Sequence, residues 1–291
     1  MKIGLIVEGG GMKCAYSAAV LDKFLDDGIN FDYCIGVSAG SANAASFLAG
    51  QRNRNKRFYV DYVDDPDYFG IRSLLKTGNL FNLNHIYRDM SNSGGIDPLN
   101  YETLSKNPTQ YVIVATDAKT GKPEYFDGHR MKKDNYDLII ASCSLPGACH
   151  ATKLSNGRKY FDGGVSDSIP VRRALKDGCD KVVVLSTKPR DFVKKPESMR
   201  LAYTILCCMH PNTVKSLNNR HIMYKQCQED MFELEKQGKA FIYCPSKHLP
   251  MSTYAMDKEE NMNLYKLGLS DYDESRDAFF KFMQKDIAAI S

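Results

Sequence analysis

Phe31-Asp-Tyr-Cys-Ile-Gly-Val-Ser-Ala-Gly-Ser-Ala-Asn43 decides how this chain of 291 residues is read. Its apolar run from Tyr33 to Val37 is expected to form a buried strand, and the small-residue run from Ser38 to Leu48 a helix. Between them, Gly36-Val37-Ser38-Ala39-Gly40 is a G-x-S-x-G on a strand-to-helix turn. A turn that sharp leaves no room for side chains on its flanks, hence Gly36 and Gly40 around the serine. Ser38 then projects at the tip, beside the positive end of the following helix, as an exposed nucleophile does. Glycine and serine also build tight turns with no chemistry, so the pentapeptide by itself leaves both readings open. The flanking strand and helix favour the nucleophile.

Upstream, Ile3 to Val7 is a short continuous apolar run ending in glycines, which predicts a buried parallel strand. Glu8-Gly9-Gly10-Gly11-Met12-Lys13-Cys14 follows, and Ala15 to Asp27 carries apolar residues at helical spacing, closed by Gly28. The glycine loop admits three readings: a phosphate cradle, an oxyanion hole made of consecutive amides, or a tight turn and nothing more. The phosphate motifs G-x-G-x-x-G and G-x-x-x-x-G-K-[ST] do not occur there. Free amides at a helix start are what a nearby nucleophilic serine requires.

Downstream, residues 51–100 read as helices and loops covering the sheet edge or the site mouth, with no chemistry of their own. Strands are predicted at Tyr111–Ala118, Glu124–Asp127 and Lys181–Thr187, with helices at 134–143 and from Ile169 to Lys176. Lys153 to Phe161 is a hairpin signature, with Asn156-Gly157 expected as a type I′ turn. It delivers Asp162-Gly163-Gly164, a carboxylate on a glycine turn that can face a neighbouring group closely or simply begin a turn. After residue 190 the character shifts. A basic, Pro-punctuated loop (188–196) leads to helical stretches at 198–210 and 211–237, a strand at 240–244, and two helices over 258–290. The expected fold is α/β, a mostly parallel central sheet flanked by helices with a helical C-terminal extension. The expected units are residues 1–190 and residues 191–291, the latter mainly helical with one strand and packed on the former.

Hydrophobic content of 43% and charged content of 25% describe an ordinary globular chain, and a net charge of +4 is too small and too evenly spread for nucleic-acid binding. The nine cysteines are odd in number and contain no C-x-x-C pair, so they read as reduced thiols of a cytoplasmic protein. The start of the chain is too short of apolar residues for a signal peptide, and no 18-residue apolar run predicts a membrane span. Contact with lipid would therefore be peripheral. Met199 to Met209 is apolar enough to line an acyl pocket or touch a membrane, though it also reads as a core-packed helix beside a solvated loop. No metal site is expected, since H-E-x-x-H and paired Cys/His spacings do not occur. His150, His210, His221 and His248 can in principle complete a Ser-Asp-His set. However, only 37 residues precede Ser38, too few for the strands that come before the nucleophile in an α/β-hydrolase.

In parallel sheets, loops at the carboxyl ends of the strands converge on one edge, and Ser38, the glycine loop and Asp162 all sit in such loops. Together they resemble the patatin-like phospholipase family, whose pattern runs acid-Gly-Gly-Gly-x-Arg-Gly, then Gly-x-Ser-x-Gly, then Asp-Gly-Gly/Ala. Ala141-Ser142 through Pro146 is similar to the family's Ala-Ser-x-x-x-Pro. The resemblance covers about residues 3–190. It implies a three-layer fold and a Ser–Asp dyad without histidine or cofactor, with Ser38 as nucleophile and Asp162 as general base. It further implies that the amides of Gly9, Gly10, Gly11 and Met12 form the oxyanion hole, with Lys13, Gly36, Gly40, Gly163 and Gly164 in support. Two residues depart from the pattern: Lys13 stands for Arg, keeping the charge but losing the planar fork, and Cys14 stands for Gly. Cys14 is expected to face packing, with a thiol near enough to the site for oxidation sensitivity. The implied substrate is an acyl ester, a phospholipid above all. A general carboxylesterase, or a lipid-binding module with little turnover, remain alternatives.

Overall fold

A computed structural model describes residues 1–249 and 256–284. In chain order it comprises β1 (Ile3–Val7), α1 (Ala15–Asp26), β2 (Tyr33–Val37), α2 (Ala39–Leu48), α3 (Arg54–Lys56, continuing in π-turns to Asp61) and α4 (Ile71–Thr77). Next come α5 (Tyr101–Lys106), β3 (Gln110–Asp117), β4 (Pro123–Asp127), α6 (Asp137–Cys143), β5 (Thr152–Lys153), β6 (Lys159–Asp162) and α7 (Val171–Lys176). The chain ends with β7 (Lys181–Leu185), α8 (Arg200–Leu206), α9 (Pro211–Lys236), β8 (Ala240–Tyr243) and α10 (Lys258–Met283).

The strands form one eight-stranded sheet in the order β5-β6-β3-β2-β1-β7-β8, with β4 beside β3. The segment from β3 through β2, β1 and β7 to β8 is parallel, while β4 and β6 run antiparallel to β3, and β5 pairs antiparallel with β6. Both faces are covered, so the inner strands are continuous apolar runs rather than alternating ones. Leu5 and Val7 point into a core built with α1, α2 and α10, and Ile6 into a second core with α7 and α9. This three-layer arrangement is the mostly parallel, helix-flanked α/β sheet expected from the sequence.

The sheet register itself brings Ser38 and Asp162 together. β3 pairs with β2 up to Val114↔Val37, and with β6 from Asp117↔Tyr160 back to Ala115↔Asp162. β4 occupies the opposite edge of β3, so β2 and β6 share one edge and approach each other head-on. Their ends meet at Val114–Ala115. The residue after Val37 and the last residue of β6 are therefore neighbours by topology alone.

Three expectations need correction. The 156–157 hairpin does not use a type I′ turn, which requires a positive φ at both central residues. Here only Gly157 has one (φ 78°). The amide of Gly157 bonds to Leu154 O (2.9 Å), and that of Leu154 to Arg158 O (3.0 Å), a type I turn closed by a glycine bulge. The helix expected from 134 begins at Asp137, because Asp134 adopts φ 60° and accepts the Ser93 amide at 2.6 Å. Residues 258–283 form one helix rather than parts of two, and residues 285–291 lie outside the described residues. Gly268 is no break. A Cβ there would lie 2.6 Å from Tyr16 O, so glycine lets α10 lie directly on α1. Tyr16–Asp271 (2.9 Å), Tyr265–Asp22 (2.7 Å) and stacked Phe24 and Phe279 fasten the two helices. Among the described residues no helix is long and apolar enough to cross a membrane.

Candidate active site

Ser38 stands between β2 and α2 with φ 54° and ψ −135°. A non-glycine residue in this region stores on the order of 1–3 kcal/mol of backbone strain, which the surroundings must hold. The Ser38 amide donates to Ser142 Oγ (2.9 Å), and Ser142 Oγ donates to Val114 O (2.6 Å), tying the turn to β3. Ser41 returns both its amide (2.8 Å) and its hydroxyl (2.7 Å) to Ser38 O. Packing explains the flanking glycines. A Cβ on Gly40 would sit 2.3 Å from Val7 O, and one on Gly36 2.5 Å from Ser41 Cα.

Asp162 is buried (5% exposed). Its Oδ2 accepts the Ser38 hydroxyl at 2.5 Å, and its Oδ1 accepts the Gly164 amide at 2.8 Å. Gly163 passes over β3 so closely that a Cβ would meet Val114 O at 2.3 Å. Burial raises the carboxyl's pKa above the ordinary aspartate range, while the Ser38 hydroxyl, Arg220 and the Gly164 amide each pull it partly back.

The glycine loop runs directly over the serine, where a Cβ on Gly9 would lie 2.7 Å from Ser38 Cβ. Gly10 fits against Thr187 Oγ1, Gly11 turns with φ 57°, and Met12 is buried in the short 3-10 turn that opens α1. Among the described residues the amides of Gly9 and Gly10 have no hydrogen-bond acceptor, which leaves them available to a ligand. Glu8 anchors the loop. Its carboxylate, only 2% exposed, accepts from Ser186 Oγ (2.7 Å), the Thr187 amide (2.8 Å) and Tyr224 OH (2.8 Å), with Lys188 Nζ at 3.5 Å.

These groups line a cavity of about 360 Å³. Its polar lining includes Ser38, Asp162, Lys13, Lys188, Lys194 and Arg220, and its apolar and aromatic lining Phe58, Tyr59, Tyr68, Phe81, Ile86 and Leu145. Burial, then the neighbouring Lys188 charge, lowers the Lys13 pKa, with Glu8 acting in the opposite direction. Among the described residues the Lys13 ammonium makes no hydrogen bond or ion pair, while its amide donates to Gly10 O (3.2 Å). Cys14 faces packing and is fully buried. Burial first of all pushes its thiol up to about 12, which argues against oxidation sensitivity there. Among the described residues no histidine lines the cavity. His150 sits by Gly78, His210 packs edge-on against Phe161, and His248 pairs with Asp191.

A family model described as patatin-like phospholipase matches residues 5–175, more than half of the chain. The chain belongs to the patatin-like phospholipase family. This is a family of lipid acyl hydrolases, and the three-layer sheet is its fold. A second model, a domain of unknown function (DUF6363), matches residues 210–284. The uncharacterized protein YjjU of Escherichia coli K12 is 29% identical over 200 residues, which is 67% of this chain and 55% of that protein. The chain thus spans about half the length of that curated relative. VipD of Legionella pneumophila superposes with a TM-score of 0.50 at 13% identity, over 95% of this chain and 67% of VipD, a likeness of fold.

Several cavity residues escaped the sequence reading. Residues 51–100, expected to carry no chemistry, supply most of the aromatic wall. Their short helices and π-turns have no sustained period to betray a shared face. Lys188 and Lys194 lie in a loop that reads as solvated, yet they face the cavity. Met199–Met209 lines none of it, and only one face is packed: Tyr203 and Cys207 are buried, while Leu201, Ile205, Leu206 and Met209 are exposed. Ser142 was visible only as part of a motif. Arg220 and Tyr224 gave no local signal.

Proposed function

We propose that this protein hydrolyses acyl esters of lipids through a Ser38–Asp162 dyad. The observation that carries this reading is the 2.5 Å contact of a strained, turn-borne serine with a buried carboxylate, in a cavity also lined by Phe58, Tyr59, Tyr68, Phe81 and Ile86. Asp162 Oδ2 takes the Ser38 proton as Oγ attacks the ester carbonyl. The tetrahedral oxyanion lies against the amides of Gly9, Gly10, Gly11 and Met12, each such donor contributing about 3 kcal/mol to transition-state stabilisation. Collapse expels the alcohol, which takes the proton from Asp162. Water, deprotonated by the same carboxylate, then cleaves the acyl-enzyme and releases the fatty acid. A free aspartate, with a pKa of about 3.9, is a weak base, and desolvation strengthens it here. The aromatic wall suits an acyl chain.

The test is a series of aryl and glyceryl esters of increasing acyl length. kcat/KM is expected to peak at medium or long chains. A peak at acetate would assign the protein to general carboxylesterases, and retained fatty acid without turnover would make it a binding module.

Peripheral contact with a lipid surface belongs to the same proposal. α8 and α4 flank the 145–150 turn, with Tyr203 against Gly147 and the Leu80 amide on Ala148 O (2.8 Å). Leu145, at the base of that turn, lines the cavity. Leu201 and Ile205 on α8 and Ile71 and Leu75 on α4 are all more than 60% exposed, with Lys195 and Arg200 exposed beside them. The wild type is expected to co-sediment with phosphatidylglycerol vesicles, less so at high salt, and the Leu201→Asp/Ile205→Asp variant to stay in the supernatant. Wild type that never sediments would refute the contact.

A further inference from the structure

Both halves of the site are held by one helix from outside the residues matched as patatin-like. Arg220 and Tyr224, four residues apart on α9, point the same way off the helix. Tyr224, buried, donates to Glu8 Oε1 at 2.8 Å, and Glu8 opens the glycine loop. Arg220 Nε donates to Gly164 O at 2.7 Å, and the amide of that same glycine donates to Asp162 Oδ1. Arg220 Nη1 meets Glu197 at 3.1 Å, and Lys194 closes this small network from the other side at 2.9 Å.

We propose that α9 is the positioning element of the site, Arg220 setting the Asp162 turn and Tyr224 the Glu8–Met12 loop, so that base and oxyanion amides stay aligned on Ser38. This gives the segment matched only to a domain of unknown function a task, and it rests on the hydrolase reading above. Arg220 suits the task because its planar fork serves Gly164 O through Nε and Glu197 through Nη1, a spacing of two fixed nitrogens that a lysine's single nitrogen does not reproduce. It also places a positive charge near the base. Lys13, Lys188 and Lys194 line the same cavity as Asp162, and three thiols also face it, Cys14 beside the glycine loop, Cys143 of α6 and Cys149 of the following turn, all pushed up mainly by burial. Of these cations Arg220 is the one bonded to the Asp162 turn, and its charge favours the ionised form.

The experiment compares Arg220→Gln, Arg220→Lys, Tyr224→Phe and Ser38→Ala with wild type, in the full chain. It reads kcat and KM together with the carboxyl titration of Asp162 by carbon-13 NMR, the signal assigned with Asp162→Asn. Arg220→Gln is expected to move the titration to higher pH, and Arg220→Lys to leave it near the wild-type position. Both lose on the order of tenfold in kcat, since small misplacements of reacting groups are costly. Tyr224→Phe is expected to lose a similar factor in kcat with KM within about twofold and the titration unmoved. A merely structural role would lower the melting temperature and leave the titration in place. Should Arg220→Gln not fold, Arg220→Met, which keeps the packed stem, takes its place. An unmoved titration in the charge-free variant, or wild-type kcat in all three folded variants, overturns the proposal. If wild type cleaves no ester, or Ser38→Ala matches it, the hydrolase reading fails instead, while the titration still decides whether Arg220 tunes Asp162.

Discussion

Replacing Ser38 with alanine is expected to lower kcat/KM for a medium-chain aryl ester by a thousandfold or more, about 4 kcal/mol in transition-state stabilisation. The loss is large because every covalent step passes through one oxygen. Ser38 Oγ lies 2.5 Å from Asp162, and the turn that presents it is fixed by Ser142, Ser41 and the close passage of Gly40 beneath Val7 O. Among the described residues the neighbouring serine hydroxyls are already engaged, Ser142 and Ser41 in holding the turn and Ser168 in donating to Gly164 O. Alanine keeps the backbone and removes only the oxygen, leaving Asp162 Oδ2 without its serine partner. A buried acceptor stripped in this way costs about 1–3 kcal/mol, so the variant should fold with a modestly lower melting temperature. Labelling by a fluorophosphonate probe should disappear together with turnover. Activity within tenfold of wild type in the folded variant would show that the nucleophile lies elsewhere.

What could be read in the sequence, and what could not, follows from how far each interaction reaches. β1, β2, β3 and β7 are buried on both faces, so each is a run of apolar residues that announces itself locally. The elbow at Ser38 and the turn at Gly163-Gly164 are equally legible, because glycine marks places where backbones touch. The head-on meeting of β2 and β6 is not. It depends on which edge of β3 each strand takes, and nothing near Asp162 records that choice. The C-terminal contribution is further out of reach. Arg220 lies 56 residues from Gly164, and Tyr224 lies 216 residues from Glu8. Both sit in a long polar helix whose charged residues resemble an ordinary solvated face. The aromatic wall was hidden for another reason: α3 and its π-turns present Phe58 and Tyr59 without the 3.6-residue repeat that reveals a buried stripe.

Asp162→Asn is the complementary loss, expected to match Ser38→Ala in kcat while leaving the fold intact. Asparagine is nearly isosteric, and its carbonyl oxygen can still accept the Gly164 amide. Its other terminal atom is a nitrogen that donates, so toward Ser38 it offers no lone pair to take the proton. The general base is gone with the geometry preserved. The pH dependence tells this apart from disturbed packing. Burial raises the Asp162 pKa above the unfolded value of about 3.9, and only the ionised form is a base. In wild type, kcat/KM should therefore fall as pH drops through that raised value, an acidic limb lying above where an exposed aspartate would titrate. The same shift sets the sign for stability. A carboxyl whose pKa is higher folded than unfolded binds protons more tightly in the native state, so it opposes folding increasingly as pH rises from the unfolded pKa to the folded one. At neutral pH the wild type bears this penalty in full and the asparagine variant does not. Asp162→Asn should be at least as stable as wild type at pH 7, with the difference vanishing toward pH 3, and its residual activity should lack the acidic limb. Melting temperatures at the two pH values, alongside the pH–rate profiles, check both halves. A variant that keeps more than a tenth of wild-type kcat, or that keeps the limb, would remove Asp162 from the mechanism.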